Sequence, residues 1–228
     1  MARHHAAGAR RAAEAERQAD IERRQAAIDR RRQARFPPRG RRGQILAATL
    51  TLFNEAGYTT TTMPDIAAEA KASIGSIYHH FGGKEDLAAA LYVEGLAHYH
   101  GALMADVLRE RESAEEAVKE LVRHHLRWVE RNQGLARFLF AMREPDVVGR
   151  AQTDLKAMNA RVFHAVQEWI TEWVDAGELR ELPIGVFYAI VFGPSQEFAR
   201  QWLVGRLEES IDDVEGDLSE AAWRGVRA

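Results

Sequence analysis

Residues 57–87, GYTTTTMPDIAAEAKASIGSIYHHFGGKEDL, read as two short helices, a tight turn and a docking aromatic. Thr61 or Thr62 supplies a hydroxyl to cap the first helix, and Asp65 follows Thr62 at the spacing a capping box requires. Pro64 falls in the first turn, where a missing N–H costs nothing. Met63, Ile66, Ala67 and Ala70 recur at helical spacing and give that helix one apolar face. Lys71 and Ala72 break it. Ser73 can cap a second helix running to His80, in which Ile77 and Phe81 share an inward face and belong to the core. Ile74, Ser76, Tyr78 and His79 are left pointing outward.

Two helices joined by so short a turn form a helix-turn-helix, whose second helix enters the DNA major groove. The surrounding residues sharpen this reading. From Ile45 to about Leu91 the chain resembles the DNA-binding domain of the TetR family of bacterial transcriptional regulators. The ordered set Gly57-Tyr58, Ile66-Ala67, Ser73, Gly75, Tyr78, His80-Phe81 and Lys84-Glu85 carries the likeness. The resemblance implies an all-α homodimer that reads a near-palindromic operator and often releases it when a small molecule binds. It implies that Thr62 contacts phosphate, that Ser73, Ile74, Ser76 and His79 face base edges or the groove wall, and that Tyr78, His80 and Lys84 hold the backbone. Hydroxyls, imidazoles and an ammonium suit phosphate oxygens, while Ile74 can meet only a thymine methyl. His80 suits a phosphate contact or a helix-end hydrogen bond equally. Gly75 suits a close backbone approach, to DNA or to the preceding helix. The family usually places Gly where this chain has Lys71, at a turn that can require positive φ; a non-Gly residue there costs about 1 kcal/mol. Lys71 can also add a phosphate contact, as can Thr61 by its position beside Thr62.

The 228 residues allow one large or two small domains. There are no cysteines, which removes disulfides and thiolate metal sites and fits a reducing compartment. No apolar run approaches the ~18 residues of a membrane span, and the start is too charged for a secretory signal, so a cytoplasmic protein is expected. The net charge of −3 hides an asymmetry: residues 1–42 hold thirteen Arg against five acids, a balance of +8, which leaves −11 for the rest. A polyanion would meet the N-terminus first.

Residues 1–39 are rich in Ala, Arg, Glu and Gln but offer only Ile21 and Ile28 as large apolar side chains before Phe36. They read as a basic arm, largely disordered or partly helical. It either follows phosphates beside the helix-turn-helix or is a dispensable tail. Residues 40–87 form the DNA-binding domain, opened by Arg41 and Arg42 and a first helix over 44–56 that Gly57 ends. Residues 43–87 contain only Lys71 and Lys84 against Glu55, Asp65, Glu69, Glu85 and Asp86, so attraction for DNA leans on Arg39, Arg41 and Arg42.

Residues 88–228 form the second domain. A long connector helix starts at Lys84 and runs through Leu108. A capping signature, Ser113 to Glu116, opens a helix to about 132. A short apolar helix covers 135–142, and Pro145 marks the next boundary. Leu155, Met158, Val162, Val166, Trp169 and Trp173 repeat at helical spacing up to Gly177. Pro183 opens a further helix in which Pro194 predicts a kink, and a last one covers about 217–226. The count is about nine helices, three plus six, with no strand-period segment.

The resemblance implies that the last two long helices pair across a two-fold axis, with Phe198, Trp202, Leu203 and Trp223 as interface residues. The middle helices then line an apolar effector pocket, with His125, Trp128, Phe138, Met142, Phe163, Trp169 and Trp173 as candidates. No cofactor is expected. No His-x-x-x-His pair supports a metal, Gly82-Gly83-Lys84 lacks the pattern of a phosphate loop, and no nucleophile elbow surrounds a serine. Two alternatives stay open: a DNA-binding dimer without a small-molecule effector, controlled by a protein partner or by abundance, and a helix-turn-helix that docks another protein.

Overall fold

Local capping signals and one apolar stripe per helix are enough to lay out the N-terminal third. In the computed structural model, which describes residues 36, 37, 39–107 and 111–228, these signals give α1 (Arg41–Glu55), α2 (Met63–Glu69) and α3 (Ile74–His80). The expected basic arm lies outside the described residues apart from 36, 37 and 39. Ile45, Leu46 and Phe53 bury the inner face of α1, and Thr49 joins them by donating its hydroxyl to Ile45 O at 2.8 Å. The helix starts three residues before the expected 44, after Gly40 at φ 89°. Gly57, at φ 85°, ends it as expected.

The second part holds α4 (Lys84–Val107), α5 (Ala114–Arg131), α6 (Gln133–Ala141), α7 (Pro145–Asp175), α8 (Ile184–Leu203) and α9 (Ile211–Val226). Nine helices and no strand are present among the described residues; the one extended contact is an isolated bridge between Leu179 and Arg227. Helix α5 is the centre of this bundle. Val118, Val122, Leu126 and Val129 are fully enclosed, and α4, α8 and α9 pack against the helix. Ser113 caps it by accepting from Glu116 N at 3.2 Å. Helix α7 continues for 31 residues from Pro145, and α8 runs on through Pro194 to Leu203. Helix α9 starts six residues before the expected 217, because Ser210 and Asp213 form a full capping box.

The two parts are joined along α4. Leu87, Ala88 and Leu91 sit in the same continuous core as Ile45, Ile66 and Ile77. Asn54 donates to Gly134 O at 3.0 Å, Phe53 stacks on Phe138 at 5.9 Å, and Arg150 pairs with Asp86 at 2.7 Å. Where α4 meets α6, a Cβ on Gly95 would lie 2.9 Å from Leu135 Cδ1, so the absence of a side chain there sets how closely the two helices approach.

Candidate functional site

The recognition element is built almost entirely from caps. Thr62 accepts from Asp65 N, while the Asp65 carboxylate accepts from Thr62 N at 2.9 Å and from the Thr62 hydroxyl at 2.6 Å. These bonds hold the Asp65 carboxyl below the usual carboxylate range. Ser73 Oγ accepts from Ser76 N at 3.1 Å and starts α3. Between the helices, Lys71 adopts φ 49°, Ala72 N donates to Ala67 O and Lys71 N to Ala68 O. This is a Schellman turn with lysine in the position glycine usually takes. Arg41 Nη1 donates to Ala70 O and Lys71 O and ties α1 to the turn.

The outer face of α3 is open. Ile74 is 44% exposed and Tyr78 52%, with His79, His80 and Gly75 also exposed and Ser76 half-buried. A Cβ on Gly75 would meet nothing within 4 Å, so no helix of this chain approaches it. Ile77 and Phe81 are buried, as their spacing requires.

Three expected contacts are employed inside the fold instead. Thr61 is only 3% exposed and donates its hydroxyl to Gly57 O at 2.8 Å, so it closes the α1–α2 turn rather than facing a ligand. Lys84 Nζ donates to the carbonyls of Tyr58, Thr59 and Thr61 at 2.9, 3.2 and 2.9 Å and lies 4.5 Å from the centre of the Tyr58 ring. Its three donors are thus matched to three converging acceptors. Arg42 pairs with Glu94 and stacks over Phe81 at 5.1 Å, fastening α1 to α4.

Behind this element a cavity of about 320 Å³ opens among α4, α5, α7 and α8. Leu96, Tyr99, His100 and Leu103 present one stripe of α4 to it, at steps of three and four residues. Val162, Phe163 and Val166 of α7 face them, and Phe187, Tyr188 and Phe192 of α8 complete the wall. Beside it lies a buried polar pair: the Tyr99 hydroxyl and His125 Nδ1 are 3.0 Å apart. Burial pushes the Tyr99 phenol well above its ordinary value, and burial with the neighbouring His124 pushes His125 down to about 4. Both groups are therefore neutral near pH 7.

A sequence profile of the bacterial regulatory proteins, tetR family, matches residues 45–91, the segment that holds this recognition element. The crystal structure of the transcriptional regulator FadR from Bacillus subtilis in complex with stearoyl-CoA matches the whole arrangement with a TM-score of 0.67 at 21% identity, covering 80% of this chain and 97% of that one. Residues 45–91 are thus the DNA-binding segment of a TetR-family regulator. The chain is a DNA-binding transcriptional regulator, not an enzyme. Among curated relatives, the HTH-type transcriptional regulator HbdR of Aromatoleum sp. (strain CIB) is 55% identical over 47 residues, which is 21% of this chain and 20% of that protein. The Fatty acid metabolism regulator protein of Bacillus subtilis (strain 168) is 23% identical over 195 residues, covering 80% of this chain and 94% of the relative. No helix among the described residues is long and apolar enough to cross a membrane.

Of the seven side chains expected to line an effector pocket, Phe163 lines the 320 Å³ cavity. The others are placed elsewhere. Trp128 donates to His98 Nδ1 at 3.2 Å, His125 is matched to Tyr99, and Trp169 packs edge-on against Trp173 at 6.4 Å. Phe138 and Met142 line a separate open groove of about 540 Å³ between the α1–α2 turn and α6. The α4 wall of the cavity was not among the expected residues, though its stripe from Leu96 to Leu103 is legible in the sequence as a helical period. Of the four expected interface residues, Phe198, Trp202 and Trp223 are partly exposed, but Leu203 is 6% exposed within the single chain and has little surface left for a partner. More apolar surface is free on α8 at Val186 and Tyr188, and beyond its end at Val204.

Proposed function

We propose that this regulator is a homodimeric repressor that reads a near-palindromic operator and leaves it when a small, largely apolar effector enters the second domain. The observation that carries the reading is the course of α4. This helix lines the cavity with Leu96 to Leu103 and, at its first residue, clamps the turn that precedes α2. An effector that favours one setting of α4 thereby favours one setting of α3.

In this reading residues 40–87 bind DNA and residues 88–228 bind effector and partner. Ile74, Ser76 and His79 face base edges, with Gly75 admitting the backbone closely. Tyr78, His80, Lys71, Thr62 and Arg41 serve phosphates, and Ser73 contributes through its cap. Dimerisation uses α8 and α9 with Phe198, Trp202 and Trp223; the exposed Val186 and Tyr188 of α8 support this by offering apolar surface that water disfavours. Two recognition helices then sit ~34–36 Å apart or a multiple of that. FadR of Bacillus subtilis, one structural relative, was crystallised in complex with stearoyl-CoA, which supports effector control in a protein of this shape.

The test is selection of bound sequences from random duplex DNA by the full chain, with the mass of the complex measured in solution. A palindromic consensus bound by two chains is the expected result. Weak binding with no consensus would sink the proposal and favour docking to another protein.

A further inference from the structure

The open groove between the α1–α2 turn and α6 joins apolar walls to uncompensated positive charge. Phe53, Phe138 and Met142 line it as buried side chains, Tyr58 and Phe140 as half-buried ones, and Val204 is 60% exposed. Three arginines also line it, Arg137, Arg143 and Arg200, against one carboxylate, Glu144. Arg200 is spent on Glu197 through two bonds, of 2.9 and 2.7 Å. Arg137 and Arg143 have no carboxylate partner among the described residues. Arg137 Nε donates to Leu203 O at 3.1 Å, and Arg143 Nη1 donates to Met142 O at 2.8 Å. Leu203 and Met142 are themselves lining residues, so both guanidinium groups are held at the groove with N–H donors to spare.

Residues 43–228 carry a net charge of −11, so this groove is a positive spot on a negative body, and a cleft of that kind draws in small anions. The walls narrow the class further. A phosphodiester backbone meets the arginines but has no apolar body to lay on Phe138 and Met142. A neutral apolar molecule meets the walls but leaves the guanidinium donors unused. An aromatic ring with a carboxylate on a short arm answers both, since planar guanidinium groups match a carboxylate and aromatic walls match a ring. The proposed dimer contact leaves the arginine side of α8 clear, because Arg200 lies two positions, about 200° around the helix, from both Phe198 and Trp202.

We infer that this groove is a second ligand site, which takes a small aryl carboxylate with its ring on the apolar wall and its anion on Arg143 and Arg137. Its walls come from both parts of the chain, residues 57–59 on one side and α6 with the end of α8 on the other, so an occupant bridges the joint between them. The site is separate from the α4–α8 cavity and does not rest on the effector reading above.

Calorimetric titration of the full chain at one low salt concentration tests it, with 1-naphthylacetate and 1-naphthylacetamide, probes that differ in charge and hardly in shape. The chains compared are the unaltered one, Arg143→Gln, Val204→Glu and Phe163→Gln. Arg143 and Val204 are exposed, and the one hydrogen bond described for Arg143 is to its neighbour's carbonyl, so these changes leave the fold in place. The unaltered chain is expected to bind the acetate more tightly than the amide. Arg143→Gln and Val204→Glu are each expected to lower the acetate-to-amide affinity ratio about fivefold, the worth of one partly exposed ion pair. Phe163→Gln, on the α4–α8 cavity, is expected to change neither affinity. No binding of the acetate, equal affinities for the two probes, or an unchanged ratio in either Arg143→Gln or Val204→Glu overturns the site. Loss of acetate binding in Phe163→Gln also overturns it, by placing the probe in the other cavity. None of these outcomes decides the effector reading, which stands or falls on release of operator.

Discussion

Gly75→Ala separates folding from DNA binding more cleanly than any other change on the recognition helix. Gly75 is the second residue of α3 and lies two positions, about 200° around the helix, from the buried Ile77. Its φ is not in the left-handed region, and a Cβ there would meet nothing within 4 Å. Alanine therefore fits the free protein without strain. It also restricts the unfolded chain, which is worth about 0.5–1 kcal/mol of stability. At about 2–4 °C per kcal/mol for a chain of this size, the Tm should rise by about 1–4 °C. On the operator the sign reverses. If the helix backbone lies against DNA at this point, an added methyl forces the two surfaces apart, at an overpacking cost of about 1–3 kcal/mol. Operator affinity should then drop about fivefold to 150-fold. Calorimetric melting and fluorescence anisotropy on the selected duplex, at one fixed salt concentration, measure the two quantities separately. A lower Tm would show that the open space is misjudged. An unchanged operator affinity would show that α3 does not bring its backbone to DNA, and the assigned docking face would be wrong.

Lys84→Met removes three donors from three carbonyls while keeping the aliphatic stem, so stability should fall by about 2–3 kcal/mol in denaturant titration. Because Lys84 is spent inside the fold, the slope of log affinity against log salt should stay the same; a slope smaller by about one would mean a lost phosphate contact. Lys71→Gly relieves the left-handed turn and should raise stability by about 1 kcal/mol, read from the denaturation midpoint. Acid should weaken the fold through His125. Its folded value of about 4 lies below the unfolded 6.5, so the unfolded chain binds more protons between those limits. Stability is then fully present above pH 6.5 and declines toward pH 4, at up to about 1.4 kcal/mol per pH unit and about 3 kcal/mol in all. Equilibrium denaturation across that range should show the slope, and His125→Gln should reduce it.

The parts of the fold that were legible are those encoded within a few residues. Thr62 with Asp65, Ser73 with Ser76, Gly57 after α1 and Ser113 before α5 each act across three or four positions, so their spacing alone places the helix ends. The start of α9 is encoded in the same way by Ser210 and Asp213, six residues before the expected 217. The lining of the cavity was less legible for a different reason. Aromatic content says that a side chain is buried but not which neighbour it meets. Trp128 turns to His98 and Trp169 to Trp173, while the cavity falls to an ordinary-looking stripe of α4. Lys84 was the least legible of all. A lysine opening a helix beside a DNA-binding turn reads as a phosphate ligand, and only the folded chain brings the carbonyls of 58, 59 and 61 to within 3.2 Å of it.

That arrangement has a consequence for how binding at one end of α4 is felt at the other. At 1.5 Å per residue, about 18 Å of helix separates Lys84 from Leu96, the first α4 residue on the cavity. A helix of that length transmits a tilt only if its near end is fastened to the element that must move. Lys84 fastens it to the α1–α2 turn, and Arg42, bound to Glu94 and stacked on Phe81, fastens it to α1. In the proposed mechanism neither residue needs to touch DNA or effector to couple the two. The two basic side chains that the sequence offers most plainly to phosphate are thus the ones that make α1–α3 and α4 turn as one body. In the proposed complex the electrostatic attraction for DNA falls to Arg39, Arg41 and Lys71, which are exposed on the surface.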